Sequence, residues 1–138
     1  MKKMDIVTSS AEETRKLGEK IAGTLKSGDI VTLVGDLGSG KTTFVQGIFK
    51  KLGIKEFARS SSFIVANEYS SKKSKLCHID LYRLGAADIN NLGLEEYFRS
   101  DCITVVEWAD RLKKASLIPS VKVGFKWLSE SERRIRVS

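Results

Sequence analysis

Gly35-Asp36-Leu37-Gly38-Ser39-Gly40-Lys41-Thr42 decides how the rest of this chain is read. Ahead of it, Ile30 to Val34 is a nearly continuous apolar run, the pattern of a strand buried on both faces. Behind it, Phe44, Val45, Ile48, Phe49 and Leu52 form the inner side of a helix that Gly53 stops. A glycine-rich loop that leaves a buried strand and enters a helix gathers free backbone N–H groups and the positive end of the helix dipole at one point. Its glycines accept backbone angles closed to other residues, so Gly35, Gly38 and Gly40 let the chain wrap an anion without Cβ clashes. Lys41 adds a mobile charge for β- and γ-phosphates, the Thr42 hydroxyl is placed to ligate Mg2+, and Thr43 offers a second hydroxyl near the α-phosphate. A glycine turn that merely precedes Lys-Thr would not need a buried strand before it and a helix after it.

A Mg-nucleotide also needs carboxylates near the metal and the attacking water. Asp80 follows the apolar run Leu76-Cys77-His78-Ile79, and Glu107 follows Ile103-Thr104-Val105-Val106. If both runs are strands parallel to the Ile30 strand, their C-terminal ends open on the edge that carries the loop. The plainer reading makes each a strand-end acid that caps a helix or pairs with a surface lysine. His78 shares a strand face with Asp80 and either orders that carboxylate or the water, or serves as a structural hydrogen-bonder. Trp108 either packs the metal site or a partner, or belongs to the core. Arg59 and Arg83 are cationic candidates for neutralising transition-state charge, although a partner can supply that group. The guanine-reading pattern Asn-Lys-x-Asp is absent, which favours adenine by elimination.

Outward from the loop, Ser10-Ala11-Glu12-Glu13 reads as a capping box for a first helix. Leu17, Ile21 and Leu25 continue that helix to about Lys26, and Ser27-Gly28-Asp29 breaks it. Phe63 to Tyr69 reads as a strand, Ser70 to Lys75 as a polar turn and Leu76 to Asp80 as the returning strand. Short helical pieces are expected from Ala86 to Phe98 and again from Ala109. After Pro119, Val121, Val123, Phe125 and Trp127 alternate with Lys122, Gly124 and Lys126, and Arg133 to Val137 returns as the second arm of a hairpin. The fold class expected is α/β, a three-layer sandwich of the P-loop NTPase kind with a mostly parallel sheet and antiparallel C-terminal additions. With 138 residues there is room for one such domain.

Charge and composition narrow the setting. Hydrophobic residues make up 41% and charged residues 30%, ordinary for a soluble globular chain, and no run is long enough to span a bilayer. Met1-Lys2-Lys3-Met4-Asp5 has no apolar run behind its lysines, which argues against a signal peptide. Cys77 and Cys102 lack metal-type spacing, and with one histidine in the chain they read as buried reduced thiols of a cytoplasmic protein. The net charge of +7 draws partly on Arg111, Lys113, Lys114, Lys122, Lys126, Arg133, Arg134 and Arg136. Such a surface suits tRNA or an acidic protein face, or is simply a solvated face with a lysine bias.

Four ordered blocks resemble one family. The run from Gly35 to Phe44, then Asn67-Glu68-Tyr69, then His78-Ile79-Asp80-Leu81-Tyr82-Arg83-Leu84, then Gly93-Leu94-Glu95-Glu96-Tyr97-Phe98 leading to Val106-Glu107-Trp108 are similar to TsaE proteins, the ATPase subunits of bacterial tRNA threonylcarbamoyladenosine biosynthesis. The resemblance spans nearly the whole chain. It implies ATP, Mg2+ and assembly with TsaD-like and TsaB-like subunits, which carry out the transfer to tRNA adenosine while this subunit supports repeated turnover. By the same resemblance Thr42 and Glu107 hold the metal, Asp80 serves hydrolysis, Gly38 to Thr43 hold the phosphates, and Ser10 and Arg133 flank the nucleotide. The family's usual Ser-Pro-Thr-Phe switch segment is Ser60-Ser61-Ser62-Phe63 here, so a fixed φ is lost at position 61. Two other readings of the same residues are a small-molecule kinase, for which no arginine-rich lid is visible, and a module that senses ATP without hydrolysing it.

Overall fold

A computed structural model describes residues 3–36, 38–55, 66–81, 98, 100–108 and 118–138. The expectations for Leu37, Arg59, the 60–63 segment, Arg83, and the helical pieces of 86–97 and from Ala109 lie outside the described residues. The elements are β1 (Met4–Thr8), α1 (Ala11–Ala22), β2 (Ile30–Val34), α2 (Lys41–Leu52), β3 (Ala66–Ser70), β4 (Lys75–Asp80), β5 (Ile103–Glu107), β6 (Val121–Trp127) and β7 (Arg133–Val137). They build a seven-stranded sheet in the order β1-β7-β6-β2-β5-β4-β3.

The strand that feeds the loop lies in the middle. β2 pairs in parallel with β5 on one side and with β6 on the other, and β4 continues the parallel set beyond β5. The α/β class and the terminal hairpin stand, but the antiparallel additions are wider than the C-terminal hairpin. β3 closes one flank antiparallel to β4, and β1 closes the other antiparallel to β7. β1 has no counterpart in the sequence reading. As an edge strand it buries only Thr8 fully and leaves Val7 48% exposed, so its pattern carries little apolar signal.

Across β1 and β7, Arg134 donates to both carboxylate oxygens of Asp5, at 2.9 and 2.7 Å. These hydrogen bonds, followed by the charges of Arg134 and Arg136, hold the Asp5 pKa below its ordinary value. The stabilisation is therefore present above the ordinary carboxylate range and is lost as pH falls through the lowered value. Because the pair is exposed, Asp5→Asn is expected to remove a small part of the acid dependence of stability, read as the narrowed difference between urea midpoints at neutral and acid pH.

Both described helices pack on one face. Ser10 caps α1 by accepting from the Glu13 N–H at 3.1 Å, while the Glu13 carboxylate accepts from the Ser9 N–H at 3.1 Å. α1 stops at Ala22, four residues before the expected end, where Gly23 caps it and the Thr24 hydroxyl donates to the Ile21 carbonyl at 2.7 Å. Leu25, still at helical spacing, packs on the core from the following turn. Leu17 and Ile21 of α1 and Phe44, Val45 and Ile48 of α2 bury against Val31, Leu33, Val105, Val123 and Ile135 of the sheet. The opposite face carries a second cluster of Cys77, Ile79, Leu81, Cys102 and Val106, in which both cysteines are buried and neither is in a disulfide.

Candidate nucleotide site

β2 ends at Val34 and α2 begins at Lys41, and a glycine-rich turn joins them. α1 opens with a side-chain cap and two acids, Glu12 and Glu13, in its first turn. α2 has neither: its cap is Gly40, which has no side chain to bond the first N–H groups, and its first turn holds no acid. Of the two helices, the second is thus left with its positive end open to a ligand. Gly40 has φ 107°, a conformation costly for a residue with a Cβ. Gly35 is required for another reason. A Cβ there would lie 2.7 Å from the Phe125 carbonyl oxygen and 2.8 Å from the Ser39 hydroxyl, because β6 crosses directly behind the loop.

The Lys41 ammonium closes the loop from inside. It is 5% exposed and donates to the carbonyl of Gly35, to that of Asp36 at 2.9 Å and to the Ser39 hydroxyl at 3.4 Å. Its Nζ also lies 4.1 Å from the centre of the Trp108 ring. Trp108 holds φ 60°, the only non-glycine with positive φ among the described residues, and its N–H donates to the Leu33 carbonyl at 3.0 Å. The chain therefore turns sharply as it leaves β5, which brings the indole over the lysine. Trp108 packs against the core cluster on the far sheet face and also faces the loop lysine.

The parallel pairing of β2, β5 and β4 brings the expected carboxylates to the same edge. Asp80 stands opposite Glu107 in register, and the Leu81 N–H donates to the Glu107 carbonyl at 3.2 Å. Strand alternation puts His78, Asp80, Val105 and Glu107 on the face that α2 covers, and Phe49 of α2 meets the His78 ring edge-on at 6.3 Å. His78 does not order Asp80, its neighbour on the same strand. Its Nε2 lies 2.6 Å from Glu107 Oε2, with the two residues 2% and 6% exposed. A carboxylate so buried needs a partner, and the histidine supplies it.

The loop is fastened from the other flank by the β6–β7 hairpin. Arg133 Nε donates to the Gly38 carbonyl at 3.0 Å, and its Nη1 bonds the carbonyls of Ser129, Glu130 and Glu132. The Arg133 stem, Thr14 of α1 and the Phe125 ring all approach Gly40. Arg133 thus lies on the loop. Ser10 lies at the start of α1, where its hydroxyl is engaged as the helix cap. Thr42 is exposed, Thr43 half-buried, Asp36 exposed and Ser39 buried. Thr14 and Phe125 escaped the sequence reading because nothing in their own segments marks them; their role comes from the strand and helix that pass beside the loop.

Known proteins resemble this chain in sequence and in fold. The family model described as threonylcarbamoyl adenosine biosynthesis protein TsaE matches residues 8–135. The chain belongs to the TsaE family. The tRNA threonylcarbamoyladenosine biosynthesis protein TsaE of Aquifex aeolicus is 38% identical over 96% of this chain and 94% of its own. The Bacillus subtilis TsaE is 36% identical over 98% of this chain and 85% of its own. The crystal structure of Bacillus subtilis YdiB superposes with a TM-score of 0.76 at 34% identity, covering 99% of this chain and 84% of that one. This TsaE-family chain has, among its described residues, no helix long and apolar enough to cross a membrane.

The donors present suit Mg2+. A hydroxyl and carboxylates are hard oxygen ligands, and Mg2+ is characteristically held by one or two carboxylates together with substrate phosphates. Among the described residues no group of three or more His, Cys, Asp or Glu side chains could hold a metal ion.

Proposed function

We propose that this chain is a cytoplasmic ATPase that binds Mg-ATP on residues 35–43 and hydrolyses it to support threonylcarbamoyl transfer to tRNA adenosine, acting with TsaD-like and TsaB-like subunits. The observation that carries the proposal is the meeting of an uncapped, acid-free helix start with two strand-end carboxylates, Asp80 and Glu107, on the side of the loop that the parallel strands define. Family membership supplies the biological setting.

The backbone N–H groups of Gly38 to Thr43 would hold the phosphates, and Lys41 would leave its loop carbonyls for the β- and γ-oxygens. Thr42 and Glu107 would hold Mg2+, which when bound supplies charge neutralisation at the phosphates. Asp80 would orient the attacking water and His78 would keep Glu107 in one rotamer. Arg133 is fastened to the loop from the β6–β7 flank, and a partner can supply the cation that meets transition-state charge, so slow turnover by the chain alone is expected.

Glu107→Gln and Asp80→Asn are each expected to cut phosphate release by at least about 100-fold while Mg-ATP binding persists. If neither changes phosphate release, the catalytic assignment is wrong; Mg-ATP binding with no phosphate release by the wild-type chain would make a nucleotide-sensing module the better description. Capture of TsaD-like and TsaB-like subunits in ATP, ADP and nucleotide-free buffers tests the biological role: capture indifferent to nucleotide would remove it.

A further inference from the structure

Trp127 occupies an inward register position yet is not covered. Along β6, Val121, Val123 and Phe125 are buried against the helices, and Trp127 is the next residue on that face. It is nonetheless 51% exposed, because α2 begins beside Phe125 and does not reach past it. A half-bared indole is an unusual use of the largest apolar side chain, and its position beside a ligand loop points to a partner of matching shape. Trp127 pairs with Arg133 across the hairpin, and the Arg133 guanidinium carbon lies 5.9 Å from the ring centre while its Nε holds the Gly38 carbonyl. The indole is therefore tied to the loop through one side chain.

Strand order fixes which end of a nucleotide lies here. The carboxylates Asp80 and Glu107 belong to β4 and β5 on one side of β2, so the metal and the γ-phosphate lie toward that side. β6 and β7 are on the other side, and a nucleotide extended along the loop would bring its base toward them. We propose that the bared ring of Trp127 is the platform on which the nucleobase stacks, with Arg133 as the bracket joining platform and phosphate loop. Stacking on a π-face is tolerant of base identity and grows with ring area, so the site selects purine over pyrimidine nucleotides and distinguishes adenine from guanine only weakly.

This inference rests on the phosphate-loop reading, and a ligand without a base separates the two. Titration calorimetry with Mg2+ would compare ATP, GTP, CTP and inorganic tripolyphosphate on the full chain and on Trp127→Leu and Trp127→Phe. Trp127→Leu should weaken ATP and GTP by roughly 10-fold or more, the range of base–aromatic stacking, and should narrow the gap to CTP. Trp127→Phe should keep most of the affinity, and tripolyphosphate should bind all three proteins alike, which also certifies their folding. Unchanged ATP affinity in Trp127→Leu overturns the platform. So does an equal loss for ATP and tripolyphosphate, since Trp127 would then act on the loop alone. Loss of subunit capture with nucleotide binding intact would make Trp127 and its exposed neighbour Leu128 a protein contact instead. Failure of the wild-type chain to bind either ATP or tripolyphosphate would overturn the phosphate loop itself.

Discussion

Lys41→Ala is expected to lower Mg-ATP affinity by at least about 100-fold, because charge-assisted hydrogen bonds are worth roughly 1.5–3 kcal/mol each and about 1.4 kcal/mol is a factor of ten. Two effects add. The variant loses the cation that meets the β- and γ-phosphates, and it loses the tether that draws the carbonyls of Gly35 and Asp36 and the Ser39 hydroxyl around one ammonium. Lys41→Met loses both as well but keeps much of the stem under Trp108, so the difference between the two variants reads what packing of the stem contributes. Calorimetric titration of both variants reads the outcome. ATP bound by Lys41→Ala with wild-type affinity would mean that the phosphates go elsewhere, and the assignments of Thr42, Asp80 and Glu107 would go with them.

Gly47→Ala carries the largest expected cost in stability. α1 and α2 cross at two glycines with their backbones in contact. A Cβ on Gly47 would lie 2.0 Å from the Arg15 carbonyl oxygen, and one on Gly18 would lie 2.2 Å from the Phe44 carbonyl oxygen. In an open helix the same change is worth about 1 kcal/mol in favour of alanine. Here the obstacle is main chain that no rotamer change can clear, so the helices must separate. Overpacking of this kind costs about 1–3 kcal/mol and more where backbone must move. The net expectation is a loss of at least about 2 kcal/mol, or a melting temperature lower by roughly 6–10 °C for a chain of this size. Because Phe44 lies in the first turn of α2, the displacement also reaches Lys41 and Thr42, and weaker ATP binding should accompany the lower melting temperature. A melting temperature that rises would show that the helices do not approach as closely as these distances say.

What the sequence by itself determined is what neighbours along the chain can write. The apolar run from Ile30 to Val34, the glycines around Lys41, the Ser10 cap, the alternation from Val121 to Phe125 and the acids closing two strands are local patterns, and each fell where its periodicity or capping chemistry put it. The tertiary structure decided what pairs with what. His78 is two residues from Asp80 but bonds Glu107, because the parallel register of β4 and β5 and the packing of Phe49 decide where its ring points. Met4 pairs with Val137 across almost the whole chain, which no local pattern in an exposed edge strand announces. Nothing local calls for Gly18 and Gly47 inside two helices, and the crossing supplies the reason; Trp127 looked like one more inward residue until α2 proved too short to cover it. Propensity and periodicity act over a few residues, whereas register, helix crossing and coverage depend on segments far apart in sequence, so those are legible only once the sheet has been assembled.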